Sequence, residues 1–185
     1  MNENQVIKNA AGSVIEWQGI LEGNQAVVLF TTRGHRTGYV GVGPDHPFYG
    51  KGYNDTVSQK IFETVKDQPY GKRSLISVLL NEDAEDIRFD ILFDVHGSIT
   101  YANANPTYPV ESTNLWWFGF DCAHFRDATD FESLRKYYPD VYEPPNLFVN
   151  GGEIRILEYC KEECLSLSKQ LNFFKEFMED PKNGF

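Results

Sequence analysis

The chain has 185 residues, a formal net charge of −10 and a composition of 41% hydrophobic, 24% charged and 15% aromatic residues. That length suits one domain with a full core, and the apolar content excludes a disordered chain. The acidic surplus, with 17 basic residues scattered rather than striped, argues against general nucleic-acid binding, because a phosphate backbone is repelled on average.

Three cysteines at unremarkable spacings form no disulfide framework and fit a reducing compartment. No stretch approaches the ~18 consecutive apolar residues of a membrane span, and the first residues lack the basic-then-apolar text of an export signal. A cytoplasmic protein that does not engage a membrane is the expectation. Oligomeric state is left open.

Residues 1–13 are polar and predicted to be loosely held. Residues 14–20 and 26–30 then read as two strands around Glu22-Gly23-Asn24, a first hairpin, and the turn 33–38 leads into a third short strand at 39–42. The loop 44–54, with two prolines and two glycines, displays His46, Tyr49, Lys51 and Tyr53. Asp55 is placed to cap a helix in which Val57, Ile61, Phe62 and Val65 recur at helical spacing before Pro69. Residues 74–80 read as a strand and 81–86 as an acidic turn.

Residues 87–95 alternate, with Ile87, Phe89, Ile91, Phe93 and Val95 on one face and Arg88, Asp90, Leu92 and Asp94 on the other. This period of two predicts a strand that carries His96 on the face of Asp94. Gly97 permits a bend before a further segment at 99–101, and a proline-containing loop follows over 103–113. The run 115–120 is apolar and aromatic, which suits a strand buried on both faces. It delivers Asp121, Cys122, His124, Arg126 and Asp127 to one rim of the sheet.

A capping box at Thr129 to Glu132 opens a short helix with Phe131, Leu134 and Tyr138, stopped by Pro139. Residues 143–146 form a rigid connector, 147–149 an edge strand and 150–152 a turn. Finally, Leu157, Cys160, Cys164, Leu167, Leu171, Phe174 and Met178 step by three and four residues down one side of a long helix that Pro181 closes. The predicted fold is therefore α+β: a single domain over 1–185, mainly an antiparallel sheet, with the C-terminal helix packed on one face.

Two texts hold most of the chemistry: Asp94-Val-His96-Gly-Ser-Ile-Thr100-Tyr101 and Trp116-Trp-Phe-Gly-Phe-Asp121-Cys122-Ala-His124-Phe-Arg126-Asp127. Together with Gly38-Tyr-Val-Gly-Val42, His46-Pro47 and Gly50-Lys51, they resemble a family of small uncharacterised proteins of bacteria and their phages. That family pairs a His-Gly-x-x-Thr-Tyr motif with a Trp-Trp-Phe-Gly-Phe-Asp-Cys-Ala-His motif. The resemblance covers residues 38–127 and implies that the two motifs form one constellation. It implies no activity.

Asp94, His96, Asp121 and His124 are donors of the type that hold Zn²⁺, Mn²⁺ or Fe²⁺. The spaced zinc signatures are absent, so no metal ligand is assigned and no cofactor is named. The competing reading of Asp94 is that it orients His96 by a hydrogen bond. Nucleophilic catalysis would use Cys122 with His124 or His96 as base.

A binding pocket asks for less. Tyr53, Tyr101 and Trp117 offer flat faces, Lys51, His96, His124 and Arg126 meet an anion, and Asp94 and Asp121 are counted in the same pocket. Trp116 and Trp117 face opposite sides of their strand, so only one can line a given pocket. The leading expectation is a pocket for a nucleotide-like or other small anionic ligand, acting in sequestration or sensing. The alternative is a hydrolase at the same pocket, metal-assisted or with a Cys/His nucleophile-base pair, in which His96, Cys122 and His124 are catalytic.

Overall fold

A computed structural model describes residues 6–58, 61, 86–141 and 151–183. The first hairpin pairs β1 (Val14–Leu21) with β2 (Asn24–Phe30). Its two central residues, Glu22 and Gly23, have φ of 50° and 85°, the left-handed pair that matches the twist of the flanking strands. β3 (Arg36–Val42) follows, and β4 (Thr56–Ser58) pairs with β5 (Asp86–Arg88) in a separate two-stranded sheet. β6 (Tyr101–Asn103) and β7 (Trp116–Asp121) complete the main sheet, whose order is β1-β2-β3-β7-β6 with every pair antiparallel. α1 (Phe131–Tyr137) and α2 (Leu157–Glu179) are the long-range packing partners.

The aromatic run becomes β7, flanked by β3 and β6. Trp117, Phe118, Gly119 and Phe120 are all buried, because one face meets α2 and the other meets a second aromatic layer. Phe118 and Phe120 join Cys160, Cys164, Leu167, Leu171 and Phe174 of α2. Trp117 points the opposite way, among Val27, Leu29 and Tyr39, with Tyr101, Tyr108 and Leu115 packed around them. α2 lies close to the sheet because position 38 has no side chain: a Cβ on Gly38 would sit 2.4 Å from the Phe120 ring and 2.7 Å from Cys164 Sγ. The α+β fold with its long C-terminal helix on an antiparallel sheet is as the sequence predicts. No helix among the described residues is long and apolar enough to cross a membrane.

Several local expectations are corrected. Residues 56–58 are strand rather than the first turn of a helix, and Asp55 accepts from Gly52 N–H at 2.8 Å instead of capping one. The strand predicted at 87–95 stops at Arg88 and turns through a 3-10 segment, Phe89–Leu92. Tertiary packing overrides the period of two: the turn lets Phe89 and Phe93 pack against each other (centroids 5.1 Å apart) and both reach Phe48 and Phe118.

Residues 6–13 are held, since Asn9 accepts from the N–H groups of Ala11 and Ser13 and donates to Pro109 O at 2.8 Å. His46 is no display residue either. It is buried, with Nδ1 accepting from Phe48 N–H and Nε2 3.0 Å from Leu171 O; burial pushes its pKa down. The remaining parts of the predicted helix after Ile61, the strand at 74–80, the turn at 81–85 and the segment 143–150 lie outside the described residues.

Leu167 is fully buried between α2 and the sheet. Leu167→Ala should cost about 2–5 kcal/mol, the usual range for a large-to-small core change, measured by urea unfolding. An unchanged midpoint would mean that the helix does not hold the sheet.

Candidate functional site

β7 ends at Asp121, opposite Thr37 of β3, and the chain then folds into a turn. Asp121 Oδ1 accepts from Ala123 N–H at 3.1 Å, and Asp127 Oδ2 accepts from His124 N–H at 2.9 Å. Asp127 is the knot of the region, its side chain only 1% exposed. Besides His124 N–H it takes His96 Nε2 at 2.7 Å and Arg155 Nε at 2.9 Å. Burial alone would raise its pKa, but the hydrogen bonds from Arg155, His96 and His124 outweigh that and hold it below the ordinary carboxylate value. An ionised Asp127 requires the proton of His96 on Nε2.

His96 is held on its other sides as well. Nδ1 lies 2.9 Å from the Tyr159 hydroxyl, and its backbone N–H donates to Glu163 Oε2 at 2.7 Å. Burial, reinforced by the Glu163 charge, pushes the Tyr159 phenol up, so it keeps its proton. Burial likewise raises Glu163, partly offset by the His96 N–H bond. Tyr159 and Glu163 stand four residues apart on α2 and flank the apolar stripe.

The His96 and His124 rings are 5.4 Å apart, which brings the two sequence motifs together. Gly97 makes this possible: its φ is +72°, and a Cβ there would come within 1.8 Å of His124 Nε2. His124 Nε2 is buried without a hydrogen-bond partner, 3.8 Å from Asp121 Oδ1.

Beside Asp121 lies a hollow of 340 Å³ lined by Thr31, Thr32, Arg33, His35, Thr37, Asp121 and Ala123. Asp121, 34% exposed, also accepts from Thr100 Oγ1 at 3.0 Å. Thr37 is 9% exposed, and its Oγ1 has no hydrogen-bond partner; neither has the buried Nδ1 of His35. Burial pushes the Tyr39 phenol up, followed in weight by the Tyr108 phenol, while the nearby Thr37 hydroxyl pulls the other way without reaching bonding geometry. Underneath, Arg36 is buried with bidentate contacts to Glu16 (2.6 and 2.9 Å) and one to Asp130 (2.9 Å), which fixes the start of β3.

The sequence-derived set therefore divides. His96, Asp121 and His124 converge; His96 has both ring nitrogens committed, and Asp121 faces the hollow. Asp94 does not orient His96. It is exposed, and its backbone pairs with the Gln170 side chain, at 2.8 Å from its N–H and 2.9 Å from its carbonyl.

Cys122 is 2% exposed, with Sγ 3.6 Å from Cys160 Sγ. The Cys160 contact and burial push its thiol up, so it is core rather than a thiolate nucleophile. Lys51 and Tyr53 lie toward the opposite end of β7, where the Lys51 carbonyl accepts from Trp116 Nε1 at 3.0 Å. Trp117 is fully buried, its Nε1 donating to Ser112 Oγ at 2.9 Å. Tyr101 packs edge-on against Tyr39. Arg126 is exposed, and the guanidinium on Asp127 comes instead from Arg155.

Among the described residues no group of three His, Cys, Asp or Glu side chains is placed to hold a metal ion. Thr37, His35, Arg155, Tyr159 and Glu163 escape sequence reading, although the i, i+4 spacing of Tyr159 and Glu163 is a visible signal. No family model, curated protein or solved structure matches the chain.

Removing Asp127 leaves the mostly buried His96 Nε2 without an acceptor and Arg155 with only Glu153, at 2.7 Å, so Asp127→Ala should cost about 1–3 kcal/mol. The pH dependence has a definite sign. The folded-state pKa of Asp127 is depressed, so its stabilisation is present above the unfolded value, about 3.9, and is lost as pH falls through the lower folded value. Asp127→Asn should therefore flatten the acid limb of stability against pH, read by urea unfolding at successive pH values. An acid limb as steep as in the parent protein would remove Asp127 from its central place.

Proposed function

We propose that the chain binds a small molecule, nucleotide-like or another small anion, in the hollow beside Asp121, and that it acts by sequestration or sensing in the cytoplasm. The observation that carries this reading is the Thr37 hydroxyl, nine-tenths buried, lining the hollow and unpartnered. A buried hydroxyl without a hydrogen bond costs free energy, and a ligand oxygen would satisfy it. His35 Nδ1 adds a second orphan in the same wall, and Arg33 supplies positive charge in an otherwise acidic protein. The volume of 340 Å³ falls near the lower end of ligand cavities, about 300–1,000 Å³. A general nucleic-acid partner is disfavoured by the net charge of −10.

Incubation with a pool of nucleotides and sugar phosphates, removal of excess, denaturation and mass spectrometry should recover one intact anion per chain. Ala123→Trp, which fills the hollow from an exposed position, should abolish that recovery while leaving the circular dichroism spectrum unchanged. Recovery of no anion, or equal recovery with Ala123→Trp, would sink the reading. Product exceeding the protein concentration would favour a hydrolase at the same hollow.

A further inference from the structure

We propose that the hollow recognises the phosphosugar part of its ligand and leaves any base outside, so that the ligand class is a pentose phosphate unit rather than a particular nucleotide. This inference rests on the binding reading above and narrows it. Asp121 is a carboxylate whose oxygens accept from Thr100 Oγ1 and Ala123 N–H, and its negative charge repels a phosphate placed beside it.

The phosphate therefore belongs at the Arg33 end, where the guanidinium is exposed and pairs with no carboxylate among the described residues. What lies against Asp121 must donate. Thr37 Oγ1 and His35 Nδ1 are buried and have no hydrogen-bond partner, and a group that reaches both must be able to donate or accept. Hydroxyl groups meet all three demands, and a carbon frame bearing several of them meets them at once.

A base would want a flat ring to stack on. Among the described residues, the His35 imidazole is the only ring lining the hollow. Trp117 is sealed in the core and Tyr101 is packed against Tyr39. Phe125 projects into solvent from the neighbouring turn, 98% exposed, and does not line the hollow. None of the described residues in its wall distinguishes a purine from a pyrimidine.

Isothermal titration calorimetry of the full chain with ribose 5-phosphate, ribose, inorganic phosphate, adenosine monophosphate and uridine monophosphate tests this. Ribose 5-phosphate should bind, and the two nucleotides should match it within about threefold. Ribose and inorganic phosphate should bind at least about tenfold more weakly, the loss of one good hydrogen-bond set. Asp121→Asn and the volume-conserving Thr37→Val should each weaken ribose 5-phosphate about tenfold, with folding checked by circular dichroism.

A preference of more than about tenfold for one nucleotide over both the other and ribose 5-phosphate would mean that the base is read. That would overturn this inference and leave the binding reading standing. Inorganic phosphate or ribose binding as tightly as ribose 5-phosphate would likewise overturn it. No binding by any of the five would bring down the binding reading as well.

Discussion

The buried carboxylate of Asp127 is the constraint on which the candidate site depends. It joins two distant segments, through the His96 ring and the Arg155 guanidinium, to its own turn, where it takes the backbone N–H of His124. A negative charge at 1% exposure would be untenable alone, because desolvation costs several kcal/mol; three donors converging on two oxygens offset that cost. The arrangement is therefore all or nothing. Each donor holds its own segment in place, and the loss of any one leaves the buried charge less compensated.

From this knot the geometry of the rim follows. His124 is brought over Gly97, and the turn after β7 sets Asp121 at the edge of the hollow. The opposite wall comes from β3 and the turn before it, anchored by the buried Arg36 with Glu16 and Asp130. Two satisfied ionic clusters thus frame a small region in which Thr37 and His35 are left unsatisfied. Well-paired surroundings make unpaired groups informative: a protein that satisfies its deepest charges has no packing reason to strand a hydroxyl on a rigid strand.

The cysteines illustrate the opposite outcome. Cys122 follows the motif aspartate and looks chemical in sequence, yet it alternates onto the α2 side of the sheet, beside Cys160. Burial and its neighbouring thiol hold it in the neutral form, and it packs as a small hydrophobe. Asp121 and Cys122 are adjacent in the chain and face opposite sides, one toward the hollow and one toward the core. The period of the strand, not the residue type, separates their roles.

Local pattern alone determined the elements in which one periodicity or one apolar run holds along the whole length. The α2 stripe from Cys160 to Phe174, the first hairpin and the doubly buried run of β7 are each legible because one periodicity governs the whole element. The convergence of His96 with His124 was expected from the two motifs, although His96 stands in the bend after the 3-10 segment and not at the strand end that its alternation suggested. Tertiary structure alone decided the partners.

Asp127 rather than Asp94 meets His96, and Arg155 rather than Arg126 meets Asp127, because a strand register and a helix docking, neither written in local spacing, bring them within 3 Å. The turn at Phe89 replaced a predicted strand for the same reason: packing against Phe48 and Phe118 outweighs an alternation that a short segment only weakly enforces. The hollow itself was illegible, since a cavity is a property of the gaps between segments and no residue type marks a gap.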